Sequence, residues 1–324
     1  MMRGTWRGVL TAVLAAGLAL CLVWAAAGAP SAYPTRPITW LVAFAPGGQS
    51  DVEVRRVQPH LEKLLGVRIL VEYRTGGGGA VGWSELARAR PDGYTVGGLV
   101  MPHMVIQTLL RGAEAGYRLD QIRSIAWTVA APNALMVRKD SPFRTLRDFV
   151  EYAKANPGKL AVGGVERLSP SDLSLAQFMQ AAGIRLTYVP IAGGAGPVMT
   201  SLMGGHVDAA TTAASHGIRY KDQVRILAVS GKQRLKAAPD VPTFSEFGYN
   251  VTVETSWGVG APAGVPAEVV TRLSQALLQV MRMPEIRKAV EEEGLTPLYY
   301  GPAESQAYVN RLVATYRDLV QLLR

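Results

Sequence analysis

The chain has 324 residues, of which 48% are hydrophobic and 18% charged; its net charge is +9 and Cys21 is its single cysteine. That length can bury the cores of two domains, and one cysteine excludes an internal disulfide framework. The basic residues are scattered, densest at Arg55-Arg56, Arg138-Lys139 and Lys232-Arg234-Lys236, so there is no basic stripe with interleaved aromatics of the kind that nucleic-acid binding needs.

The first segment reads as an address. Arg3 and Arg7 precede an apolar run from Val9 to Ala19, and the small residues Ala25-Ala26-Ala27-Gly28-Ala29 follow. This is the pattern of a signal peptide over residues 1–29, with a retained anchor as the alternative. Lipid attachment at Cys21 is disfavoured by the bulky Leu20 before it.

Next, a strand over Ile38 to Phe44 runs into the turn Ala45-Pro46-Gly47-Gly48-Gln49. Ser50 with Glu53 has capping-box spacing and opens a helix over 52–65. Its Val54, Val57, Leu61 and Leu65 form one stripe, and Gly66 is its stop. A strand over Val67 to Tyr73 leads to the glycine run 75–79 and a helix over Ala80 to Ala89; Tyr94 to Val100 is a further strand. A second block begins near Asn133 with the strand Ala134 to Val137. Thr145 and Asp148 open a helix that ends before Pro157-Gly158, and Lys159 to Gly163 is a strand. Ser169-Pro170-Ser171-Asp172 opens a helix to Ala182, with proline at the favoured first position. The strand Leu186 to Val189, the turn Gly193-Gly194 with a short helix, and the strands Val207 to Thr211 and Val224 to Val229 complete the block. After a polar stretch, Ser256 to Pro262 is a strand, and helices over 266–281, 284–293 and 302–323 form the tail. Short strands alternating with helices imply parallel βαβ units and an α/β fold. In such folds ligands sit beyond the carboxyl ends of the strands, where helix N-termini offer unpaired N–H groups to an anion.

No metal spacing, nucleophile elbow or kinase loop is present, so no catalytic or metal-binding residue is assigned and no cofactor is implied. Gly77 to Gly82 fits a dinucleotide fingerprint, but no acid lies between Asp92 and Glu114 to meet a ribose. A turn that only needs glycine backbone angles is the competing reading.

Several spaced motifs together resemble the substrate-binding proteins of tripartite tricarboxylate transporters, the Bug receptors. They are Tyr33 to Ile38, Phe44 to Asp51, Val71 to Gly76 with Gly78-Gly79, Pro91 to Thr95, Asn156 to Leu160, Leu202 to Asp208, Pro239 to Thr243 and Trp257 to Pro262. The resemblance implies a type II periplasmic-binding-protein fold of two lobes around a cleft, with the C-terminal helices on the first lobe. The first lobe is 33–130 with 240–324, and the second is 131–239. It implies a monomeric, non-enzymatic periplasmic receptor that captures a small organic carboxylate and delivers it to the membrane permease. A sensor of the same fold and a periplasmic enzyme are the alternatives. Carried over by the resemblance, Ala45, Gly47, Gly48 and Ser50 hold a ligand carboxylate. Gly78, Gly79, Met101 and His103 line the same lobe, while Ser169, Ser171, Asp172, Gly193 and Gly194 come from the other. Two departures bear on the ligand. Asp172 stands where the family often has histidine, and it either accepts an amine or hydroxyl or serves as a helix-start acid. Ile191-Ala192 replaces an aromatic and polar pair.

Overall fold

The computed structural model describes residues 33–324, so the expected leader lies outside the described residues. β1 (Ile38–Val42) leads into α1 (Gln49–Leu65), β2 (Ile69–Tyr73) through a 3-10 turn (Gly77–Gly79) into α2 (Ala80–Arg88), and β3 (Thr95–Met101) into α3 (His103–Arg111). The long β4 (Ile122–Arg138) is followed by α4 (Leu146–Ala155), β5 (Ala161–Val165), α5 (Pro170–Ala182), β6 (Thr187–Ile191) and α6 (Ala195–Met203). β7 (Ala209–Ala213), α7 (Ala214–Arg219) and β8 (Val224–Val229) complete that half. The chain ends with β9 (Glu254–Pro262), α8 (Ala267–Met281), α9 (Pro284–Glu292), β10 (Thr296–Tyr300) and α10 (Pro302–Leu319). α3, α7, β10 and the first half of β4 have no counterpart in the sequence reading. α3 and α7 open without a side-chain cap, and α7 has only six residues, so the signals that mark the other helices are missing there.

Local chemistry explains most of the boundaries. Thr145 caps α4 and Asp148 returns the bond, as the spacing predicts. Ser169 caps α5 with Pro170 in its first turn, and Gly183 ends it in the left-handed conformation. The capping box expected at Ser50 does not form. α1 starts at Gln49, with Gly48 as an extended N-cap and no side-chain cap. The reason lies in the neighbours: Arg56 and Gln49 draw the Glu53 carboxylate inward, and Asp51 instead accepts a bond from the Gly47 N–H at 2.9 Å.

The strands form two parallel triplets, β2–β1–β3 and β7–β5–β6, as expected for βαβ units. Between them the expectation of parallel pairing fails: β9 runs antiparallel to β3 and to β4, and β4 antiparallel to β7. Antiparallel neighbours need no helical crossover between them. β4 belongs to both groups. From Ile122 to Pro132 it pairs with β9 and carries β10 on the same stretch; from Asn133 onward it pairs with β7 and β8. The connection after β8 returns beside this switch, where the Asn133 N–H meets Ser230 Oγ at 2.9 Å and the Val253 carbonyl at 3.3 Å.

The α8 stripe of Val269, Leu273, Leu277 and Val280 is buried, and α8 packs on α1 and β4. α10 also packs on β4, and the turn after it, Val320–Leu323, reaches α5. A second core lies around Phe149 and Phe178 on α4 and α5, under the C-terminal part of β4. Among the described residues no helix is long and apolar enough to cross a membrane.

Candidate ligand-binding cleft

A narrow cleft opens where the helix starts converge. Gly48, Gln49 and Ser50 of α1, His103 of α3, Pro170 and Ser171 of α5, Ala195 of α6 and His216 of α7 line it. Asn133, Thr212 and Thr255 come from the strands, and Phe44, Val100, Val165 and Trp257 supply apolar walls. No lysine, arginine, aspartate or glutamate lines it among the described residues. Its positive potential therefore comes from the first turns of the helices, whose N–H groups have no intrahelical acceptor.

The α1 and α6 starts nearly touch. A methyl group on Gly48 would sit 3.9 Å from the Gly196 nitrogen. The Ala45 N–H donates to the Gly193 carbonyl at 3.0 Å and ties the two turns together. Ala45 and Gly47 therefore do not offer free amides: Gly193 takes one and Asp51 the other. The N–H groups of Gly48, Gln49 and Ser50 have no acceptor among the described residues. Gly194 is the N-cap of α6 at φ 94°, and a methyl there would meet the Phe44 ring at 3.1 Å, so glycine is required on both counts.

The remaining predicted positions fall into two groups. His103 and Ser171 face the cleft. The His103 ring stacks on Phe44 at 5.7 Å, and its Nε2 lies 3.2 Å from the Gln107 amide nitrogen, which makes Nε2 the acceptor. Burial holds its pKa down to about 3, with Arg111 acting in the same direction, so the ring is neutral. The other residues support the cleft without lining it. Ser169 serves as the α5 cap and donates to the Val165 carbonyl at 2.7 Å. Asp172 turns back to accept from the Leu168 N–H at 3.0 Å and to pair with Arg167 at 3.2 Å. Burial raises its pKa, while the Leu168 bond and Arg167 oppose the rise. Gly78 and Gly79 lie behind His103, held through Gln107 Nε2, which donates to the Gly78 carbonyl at 3.0 Å. All of Gly76 to Gly79 have positive φ, so the fingerprint-like run answers a backbone demand. Met101 is buried at the end of β3.

Sequence reasoning missed Gln49, Asn133, Thr212, His216 and Thr255. No local pattern marks them: Asn133, for one, is a lone amide inside an apolar strand. Behind the cleft Gln49 centres a polar clasp. Its Oε1 accepts from Ser215 Oγ at 3.0 Å and from Arg219 Nη2 at 3.3 Å, while its Nε2 donates to Glu53 at 2.5 Å. Arg56 donates twice to Glu53, at 2.9 and 3.0 Å, and also to Glu293 at 2.7 Å. The clasp joins α1 to α7 and to the end of α9. Burial raises the Glu53 pKa, chiefly against the opposing charge of Arg56.

Two parallel triplets sharing antiparallel strands over a cleft of helix starts define an α/β periplasmic binding protein. The model of the tripartite tricarboxylate transporter family receptor, TctC, matches residues 53–323, and the chain belongs to that family of non-enzymatic solute receptors. The fold is similar to that of the periplasmic binding protein BugD (TM-score 0.83, 28% identity, covering 90% of this chain and 98% of BugD). It is also similar to MatC from Rhodopseudomonas palustris with bound malate (TM-score 0.82, 26% identity, 89% and 100%). R. palustris Rpa4515 with adipate gives a TM-score of 0.85 at 26% identity, covering 90% of this chain and 98% of that one.

Proposed function

We propose that this receptor captures a small organic carboxylate in the cleft and delivers it to a tripartite tricarboxylate-type permease. The observation that carries the reading is the meeting of the α1 and α6 starts in a cleft that no lysine, arginine, aspartate or glutamate lines among the described residues, where helix N–H groups supply the attraction. MatC with malate and Rpa4515 with adipate support the ligand class. Gly48, Ser50, His103 and Ser171 contact the solute, while Ala45, Gly47, Gly78, Gly79, Met101, Ser169, Asp172, Gly193 and Gly194 shape the turns that present them. Residues 33–130 with 240–324 form one lobe and 131–239 the other. They close on the ligand by a hinge motion, stabilised when the ligand touches both. The chain works as a monomer, exported by the leader over residues 1–29.

Gly48→Trp tests the placement. Gly48 has φ −77°, and a methyl there meets only ordinary contacts at 3.5 and 3.9 Å, so the backbone accepts a side chain while an indole fills the cleft. Calorimetry is expected to lose all carboxylate binding at an unchanged melting temperature. Unaltered affinity for malate or adipate would place the ligand elsewhere.

A further inference from the structure

Granting a carboxylate held at the helix starts, the rest of the cleft is read by Asn133 and His216. The two are neighbours. Asn133 pairs with Ala213 across β4 and β7, and the His216 ring is bonded to the Ala213 carbonyl. Each is 1% exposed, and each lines the cleft. Thr255 Oγ donates to Asn133 Oδ1 at 3.0 Å, which leaves Nδ2 as the idle end of the amide, a donor only. His216 Nδ1 lies 3.2 Å from the Ala213 carbonyl, an obligate acceptor, so Nδ1 carries the proton and Nε2 presents a lone pair. Neither Asn133 Nδ2 nor His216 Nε2 has a partner among the described residues. Buried polar atoms without partners are unfavourable, and a bound group that satisfies both removes the penalty.

We infer that the cleft selects an acid whose far end is uncharged and both accepts and donates a hydrogen bond, as a primary carboxamide or a hydroxyl does. The far oxygen accepts from Asn133 Nδ2–H, and the far N–H or O–H donates to His216 Nε2. A second carboxylate has no proton to offer and would set an oxygen against the Nε2 lone pair, with no lysine or arginine among the described residues lining the cleft to offset its charge. An alkyl end would leave both nitrogens unpaired. Burial holds the His216 pKa down to about 4, Arg219 adds to the effect and the Ala213 bond opposes it, so the ring presents a lone pair at neutral pH.

Calorimetric titration of the full chain with matched acids tests this at two chain lengths: succinamate, 4-hydroxybutyrate, succinate and butyrate, then adipamate and adipate. At the length that fits, the monoamide or hydroxy acid is expected to bind at least tenfold tighter than both the dicarboxylate and the alkanoate. His216→Leu should bring that ratio close to one, whereas His216→Gln, which keeps an acceptor, should retain most of it. A dicarboxylate that binds tightest would overturn the inference and leave carboxylate capture standing. Failure of every acid to bind would overturn both. Retention of the full ratio in His216→Leu, folded by circular dichroism, would overturn the assignment to His216.

Discussion

Arg56→Met tests the clasp behind the cleft. The side chain of Arg56 is only 6% exposed and bridges Glu53 and Glu293 at 2.9 and 2.7 Å. Methionine fills a similar volume, so the loss is one of charge. Removing one partner of a buried pair costs about 3–5 kcal/mol, because the other charge stays buried. For a domain of this size that lowers the melting temperature by roughly 10 °C. The pH dependence gives the sharper reading. Burial already raises the Glu53 pKa and Arg56 is the chief opposing influence, so the variant's folded-state pKa rises further. A carboxyl with a raised folded pKa contributes stability below its unfolded value, and that stability is lost as pH rises through the folded value. The deficit in urea-derived stability should therefore be small near pH 4 and grow toward pH 7. An equal deficit at both ends of the range would mean that Arg56 acts through packing, and no deficit at all would refute the electrostatic account.

Thr145→Ala removes the α4 cap and one half of a capping box, and should cost about 1 kcal/mol in urea unfolding without altering ligand affinity. Gly79→Ala places a methyl 2.7 Å from the Trp83 ring at φ 93°. The left-handed strain alone costs roughly 1–2 kcal/mol, so a melting temperature equal to that of the native chain would contradict the packing described. His216 has a folded pKa held down to about 4 from 6.5. Its contribution is fully present above pH 6.5 and is lost as pH falls toward 4, on the order of 3 kcal/mol in all. The difference in stability between the native chain and His216→Gln, followed from pH 7.5 to 4.5, should display that fall.

Much of the fold was legible because punctuation and periodicity agreed. Thr145 with Asp148, Ser169 with Pro170, and Gly66 and Gly183 mark helix ends by mechanisms confined to a few residues. Ser50 with Glu53 has the same spacing and misleads, because Glu53 is claimed by Arg56 and by Gln49, contacts that spacing does not encode. The antiparallel course of β4 and β9 was hidden for a related reason: pairing partners far apart in the chain leave no local mark. At the cleft, the turns could be found as glycine-rich strand ends. Asn133 and His216 could not, since one sits inside an apolar strand and the other on a one-turn-and-a-half helix, and only burial without partners sets them apart.

β4 serves two groups of strands with one uninterrupted run from Ile122 to Arg138. Its register with β9 slips at Ser124–Ala126 and Trp127–Val129 but is continuous from Val129 to Pro132, so inserting or deleting a single residue in that last stretch would reverse the facing of Asn133. The loops on either side can grow or shrink, but this stretch is held to a fixed count. Substitution is thus the only route by which mutation can retune the part of the cleft that hangs from it.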